Sequence, residues 1–335
     1  MNTLLLSLLK YAIILVTLLM TVIFSVLWSM SSDLSYPKRR LLQDYHREWL
    51  THADQHGLRI SQRHCAFANT TCLFVEANAR AGSGMRGQRL RQQLQAEGYT
   101  LQPYGVSRGI LVLLHGKNGR KEDLLPVAER FVAAGFRCVI PDMPGHGENL
   151  QAPLYYSTGN AERGFANRVL RDARHYYKAP TEKAALWGMS MGGAFAIEAA
   201  SRAPDNWQAL VIVASFDALE SIIDDRLSGL PVYSQQVLKW LFSQIVRFRD
   251  HFDIRKPQPV QWATHIQMPV LVAHGTEDTL IQLSRGKRLF DAFQSSQKKW
   301  IAVPGGTHQN ILVTDYPLYK EMSAWYLRFV GSGQL

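Results

Sequence analysis

The stretch Leu186-Trp187-Gly188-Met189-Ser190-Met191-Gly192-Gly193 constrains this chain more than any other. An apolar run through Ala184 and Ala185 enters a Gly-x-Ser-x-Gly turn, and an alanine-rich helical pattern, Ala194-Phe195-Ala196-Ile197, leaves it. In such a strand–turn–helix setting a serine sits on a sharp, strained elbow with its hydroxyl clear of the sheet. Gly188 and Gly192 provide positions without side chains where backbone must pack closely. The bare pattern arises by chance in roughly one chain in ten of this length. A helix-capping serine is the competing reading of Ser190, so the surroundings decide.

Those surroundings are regular. Residues 110–114 (ILVLL) form a continuous apolar run, as expected of a parallel strand covered on both faces. Residues 123–134 follow with helical spacing, and Gly135 stops them. Further strands are predicted at 136–140, 184–189, 210–214, 270–274 and 300–303, with a polar helix over 161–179. Strands alternating with helices of this length predict one mostly parallel α/β sheet with helices on both faces. Upstream, 60–67 and 72–75 have strand character, 79–87 reads as a loop, and a short helix is expected at 90–96.

A serine hydroxyl is a poor nucleophile until a base takes its proton and a carboxylate orients that base. In an open parallel sheet such groups gather at the carboxyl ends of the strands. Past the 270–274 strand comes Gly275-Thr276-Glu277-Asp278; past the 300–303 strand comes Pro304-Gly305-Gly306-Thr307-His308. The chain order is Ser190, Asp278, His308. Glu277 and Asp217 are the other candidates for the acid, with the G-x-x-D spacing favouring Asp278. His115, His146 and His274 also lie at strand ends, in settings that suit loop support.

Five motifs, the LLHGKNG loop, the PDMPGHGEN turn, the GMSMGG elbow, the PVLVAHGTEDTLI strand and the PGGTHQNI loop, stand in one order over residues 105–332. In these the chain resembles an α/β-hydrolase, of the monoglyceride-lipase-like and serine-aminopeptidase-like branch. The resemblance implies Ser190 as nucleophile, His308 as general base and then acid, and Asp278 as its orienting carboxylate. It also implies an oxyanion hole from the backbone N–H groups of Lys117 and Met191. The Lys117 side chain is free either to face an anionic substrate or to point to solvent. Aspartate or cysteine at the elbow would have implied dehalogenase, epoxide hydrolase or dienelactone hydrolase chemistry. The chain departs from the family over residues 80–106, which leaves the number of leading strands open. Acyl transfer from a small-molecule acyl substrate through an acyl-serine is the expectation. A serine acyltransferase on the same three residues, or a silent binding protein on the same scaffold, are the alternatives.

The first thirty residues differ from the rest. Residues 11–28 are uncharged and 18 long, just enough to span a bilayer as a helix, with Tyr11 and Trp28 at the ends. No Ala-x-Ala follows, which favours a retained transmembrane anchor over a cleaved signal. The expected organisation is an anchor at 1–30, a juxtamembrane segment at 31–59 and an α/β-hydrolase domain at 60–335. Within the last, 217–268 is a lid-like insertion: either an ordinary helix packed on the sheet, or an acyl-binding or membrane-touching lid with Trp240 and Phe242 as candidate contacts. Lys38, Arg39, Arg40 and Arg47 against Lys10 favour a cytoplasmic body. The cysteines hardly arbitrate, since Cys65 and Cys72 are near enough to close a small loop in an oxidising compartment but Cys138 lies in a predicted buried strand, and the side stays open. The net charge of +10 is unevenly spread, with 13 Lys and Arg against 6 Asp and Glu over residues 31–120. No nucleic-acid-binding motif accompanies it; a face held next to anionic lipid is the simpler account, and an ordinary solvated basic surface is simpler still. No metal-ligand spacing and no phosphate-cradling glycine loop appears, so no cofactor is expected.

Overall fold

Strands with apolar residues on both faces need a layer on each side, and the chain supplies two. The computed structural model describes residues 2–330. In chain order the elements are α1 (Asn2–Ser35), α2 (Asp44–Thr51), β1 (Leu58–Cys65), β2 (Thr70–Ala77), α3 (Met85–Ala96), β3 (Ile110–Leu114), α4 (Leu125–Ala133) and β4 (Arg137–Pro141). They continue with α5 (Phe165–Tyr176), β5 (Ala184–Met189), α6 (Met191–Arg202), β6 (Leu210–Val213), α7 (Leu219–Leu227), α8 (Val232–Asp250) and α9 (Pro259–Ala263). Last come β7 (Val270–Gly275), α10 (Leu283–Ala292), β8 (Lys298–Val303) and α11 (Leu318–Phe329).

The eight strands form one sheet in the order β1-β2-β4-β3-β5-β6-β7-β8. The β1–β2 and β2–β4 pairs are antiparallel and all others parallel. This answers the open question of the leading strands: there are two, and α3 carries the chain from them to β3. Along β3, Ile110, Val112 and Leu114 enter one core while Leu111 and Leu113 enter the other, the alternation a pleated strand requires. The first core is covered by α5, α6, α9 and α10, and the second by α3, α4 and α11. The expected sheet is therefore observed. Strand bounds differ from the sequence reading by one or two residues at several ends, most at β1, β2 and β8.

Helix α1 continues without a break to Ser35, past the boundary drawn at residue 30. Residues 5–22 are exposed all round, whereas Leu27, Ser31 and Ser35 are buried against the body. Ile23, Met30 and Leu34 pack beside them, so one stripe at helical spacing docks the lower half of the helix. Leu5–Ser35 is long and apolar enough to cross a membrane.

Cys65 and Cys72, both fully buried, form a disulfide that closes the β1–β2 hairpin. Cys138 is a free, buried thiol on β4. Removing a bridge that closes so short a loop costs about 2–3 kcal/mol by the loop-entropy argument. The double variant Cys65→Ala, Cys72→Ala is expected to lose about that much stability and to unfold at a lower temperature in detergent, measured by circular dichroism.

Candidate active site

Ser190 sits between β5 and α6 with φ 55° and ψ −121°, a strained conformation for a residue with a Cβ. Glycines make room for it. A Cβ on Gly192 would lie 2.1 Å from the Leu114 carbonyl oxygen, and one on Gly188 would lie 2.4 Å from that of Gly192. Backbone bonds fix the turn, from the Ser190 N–H to the Val213 carbonyl at 2.9 Å and from the Ser215 hydroxyl to the Ser190 carbonyl at 2.8 Å.

The three residues named from their loops come together. The Ser190 hydroxyl lies 3.1 Å from His308 Nε2, and His308 Nδ1 lies 2.8 Å from Asp278 Oδ2. The carboxylate at Nδ1 fixes the ring tautomer, so Nδ1–H donates to Asp278 and Nε2 accepts from serine. Asp278 Oδ1 accepts the N–H groups of Leu280 and Ile281 at 3.0 and 2.9 Å. Burial alone would push its carboxyl up, but hydrogen bonds from His274, His308 and Ile281 outweigh it and hold the carboxyl well below the usual range.

Asp217, the alternative acid, lies elsewhere in the network. It accepts the Ala218 N–H, bonds Ser221 and pairs with Arg288 at 3.1 Å. Glu277 donates its backbone N–H to the Gly306 carbonyl at 2.9 Å, tying the acid loop to the histidine loop. His115 accepts the Met143 N–H at Nε2, and His146 Nδ1 donates to the Pro144 carbonyl. Burial, with His115 beside it, lowers the His146 pKa to about 3, so the ring stays neutral. Both histidines brace loops. His274 does more than the sequence reading allowed: its Nε2 lies 3.4 Å from Asp278 Oδ2 and 2.9 Å from the Ile281 carbonyl, at the base of the acid loop.

The backbone N–H groups of Lys117 and Met191 have no backbone partner among the described residues. Met191 is the first residue of α6, where such a group is unpaired and the helix dipole favours negative charge. The Lys117 side chain lies in the wall of the pocket at Ser190. It pairs with Asp33 of α1 at 2.6 Å.

A pocket opens at Ser190, lined by Phe216, Leu219, Ile222, Ile223, Phe242 and Ile281 from the body and by Met30, Asp33 and Leu34 from α1. Of the two candidate lid contacts, Phe242 is a buried pocket residue on the inner face of α8, where an acyl-binding lid would place it, while Trp240 is exposed. The contribution of α1 was missed from the sequence. The only signal was an aspartate directly below an apolar run, with Met30 and Leu34 one turn apart.

Tyr156 also lines the pocket, and its hydroxyl donates to the Leu34 carbonyl at 3.2 Å. Its loop is held by Glu162, whose carboxylate accepts the Tyr155 and Ser157 N–H groups at 2.6 and 2.7 Å. Burial nonetheless raises the Glu162 pKa from 4.5 to about 7. The folded state therefore binds this proton more tightly than the unfolded state. The stabilisation is full below about pH 4.5 and is lost as pH rises through about 7. The melting temperature is expected to fall between about pH 5 and 8, and to fall less in Glu162→Gln, as read by scanning fluorimetry.

A family model described as serine aminopeptidase, S33, matches residues 105–251. The chain has the α/β-hydrolase fold. It is 23% identical over 237 residues to a thermostable monoacylglycerol lipase of Bacillus sp. (strain H-257), covering 66% of this chain and 89% of that one. Among solved structures, a Pyrococcus furiosus esterase superposes with a TM-score of 0.59 at 14% identity, covering 89% of this chain and 99% of its own. A membrane phospholipase A described as a bacterial virulence factor superposes with a TM-score of 0.52 at 15% identity, covering 99% of this chain and all of its own.

Proposed function

We propose that this chain is a membrane-anchored serine hydrolase cleaving a lipid-like carboxylic ester through an acyl-serine, with Ser190, His308 and Asp278 as its triad. Ester hydrolysis is the activity of its esterase and lipase relatives. The observation that carries the finer reading is the unbroken line of contacts from Ser190 Oγ through His308 to Asp278, on a strained elbow. In the proposed reaction Ser190 Oγ attacks the acyl carbon as His308 Nε2 takes its proton, and Asp278 stabilises the imidazolium. The oxyanion forms on the Lys117 and Met191 N–H groups, each worth about 2.7–4 kcal/mol to the transition state. Collapse returns the proton from His308 to the leaving alcohol, and water repeats the sequence to release the acid.

The apolar pocket supports an acyl chain beside Ser190, and the full-length likeness to a membrane phospholipase supports a lipid-like ester. The proposed organisation is an anchor at 1–30, a juxtamembrane segment at 31–59 and the hydrolase at 60–335 with its lid at 217–268. The full chain in detergent is expected to label with a fluorophosphonate, and Ser190→Ala and His308→Ala to lose the label. Asp278→Asn should lower kcat by about 10³–10⁴-fold on a short-chain ester. No labelling of the folded wild type would leave a binding protein on this scaffold.

The Cys65–Cys72 bridge supports an oxidising compartment for the body, against the flanking charges that favour the cytoplasm. Blocking free thiols at cell lysis, then reducing and counting new ones, is expected to yield two protected cysteines. Three thiols already free at lysis would put the body in the cytoplasm.

A further inference from the structure

Helix α8 has two apolar faces, and the hydrolase fold uses only one. Phe242 and Val246 turn inward to the core, and Leu241 and Ile245 pack at its edge, where α8 faces α1. On the opposite face Tyr233, Val237, Trp240 and Phe248 recur at spacings of four, three and eight residues, which returns them to one side of a helix. Tyr233 is 78% exposed, Trp240 61% and Phe248 81%. Large side chains concentrated this way on an outer face mark an interaction surface.

The position of that face identifies its partner. A groove of about 360 Å³ runs between α8 and α1, against about 100 Å³ for the pocket at Ser190. Met20, Phe24 and Trp28 line one wall, and Trp240, Gln244 and Phe248 the other; Gln244 is the one polar side chain among the described residues that line it. Where the groove ends, Arg249 stacks on the Trp28 ring at 5.4 Å and donates to Ser31 Oγ at 2.9 Å. A Trp–Arg pair at the end of an apolar run marks the headgroup level. Met20 lies eight residues further up α1, about 12 Å deeper at the rise of an α-helix. An α1 that crosses the bilayer over residues 11–28 would therefore carry this groove, and the α8 face beside it, into the hydrocarbon.

We infer that the outer face of α8 is seated in the bilayer leaflet, with a lipid acyl chain occupying the α1–α8 groove. The inference rests on the proposed reading of α1 as a membrane anchor. It makes the lid helix a partition: lipid on one face, the apolar pocket at Ser190 on the other, with Phe242 between them. An ester drawn from the leaflet then reaches the serine by displacing one helix, without crossing water.

The test uses the full chain in phosphatidylglycerol–phosphatidylethanolamine vesicles whose acyl chains carry bromine, a short-range quencher. Cys138 is buried and the other two cysteines are bridged, so an introduced cysteine is the accessible thiol for a bimane label. Labels go on Phe248→Cys and Trp240→Cys, on Leu15→Cys in the exposed part of α1, and on Gln95→Cys on the other face of the sheet. Quenching at 248, 240 and 15 but not at 95 is expected. Quenching at 15 alone would overturn the inference and leave the anchor standing. No quenching at 15 or 248 would overturn both. A disulfide-linked dimer of the unlabelled Phe248→Cys variant, without quenching of the labelled one, would assign the face to a second copy and overturn the inference. In parallel, Phe248→Glu should lower turnover of a vesicle-borne long-chain ester about tenfold and leave a soluble short-chain ester unaffected. An equal loss on both substrates would count against a lipid contact.

Discussion

Everything in this molecule depends on how closely three backbone segments approach one another at the elbow. Gly188, Gly192 and Gly116 stand where the end of β3, the end of β5 and the start of α6 converge. A Cβ on Gly116 would lie 3.3 Å from that of Ser190. That crowding holds Ser190 at positive φ, and positive φ lifts its hydroxyl above the sheet toward His308. The strain is sustained by the two buried cores on either side, where every residue of β3 is fully enclosed. A fold with a looser junction would relax the serine into an ordinary helix cap.

The sheet places the other two residues by register. Parallel pairing of β7 with β8 sets Gly275 beside Val303, so the acid loop and the histidine loop leave the sheet at the same level. The Glu277 N–H bond to Gly306 then clips them together. His274, one position before the end of its strand, packs beneath the Asp278 carboxylate, with Gly286 leaving space for its ring. Geometry at the site therefore descends from strand register more than from the loops themselves.

This explains what could be read in the sequence. Ser190, Asp278 and His308 each sit directly after an apolar strand, in a local motif whose offset from the strand end is short, so their convergence was legible. The two leading strands were visible as strands, though not their number. The role of α1 was not legible. Asp33 and Lys117 are 84 positions apart, and no periodicity links them. Whether Phe242 meets the acyl site or the membrane stays open in the sequence for a related reason. With apolar residues on both faces of α8, spacing alone does not say which face meets the core, and only the packing of α1 and the sheet decides.

The Asp33–Lys117 pair joins the last turn of α1 to the loop whose backbone is proposed to bind the oxyanion. One consequence concerns where the chain is cut to obtain a soluble fragment. A cut after residue 30 retains Asp33 on a frayed helix end and loses Met30 from the pocket wall. A cut after residue 35 removes Asp33 and Leu34 as well, leaving the Lys117 ammonium uncompensated in the wall of the pocket that holds the serine. Fragments differing by five residues would thus present pockets of different charge and depth, and their substrate preferences would describe two different enzymes.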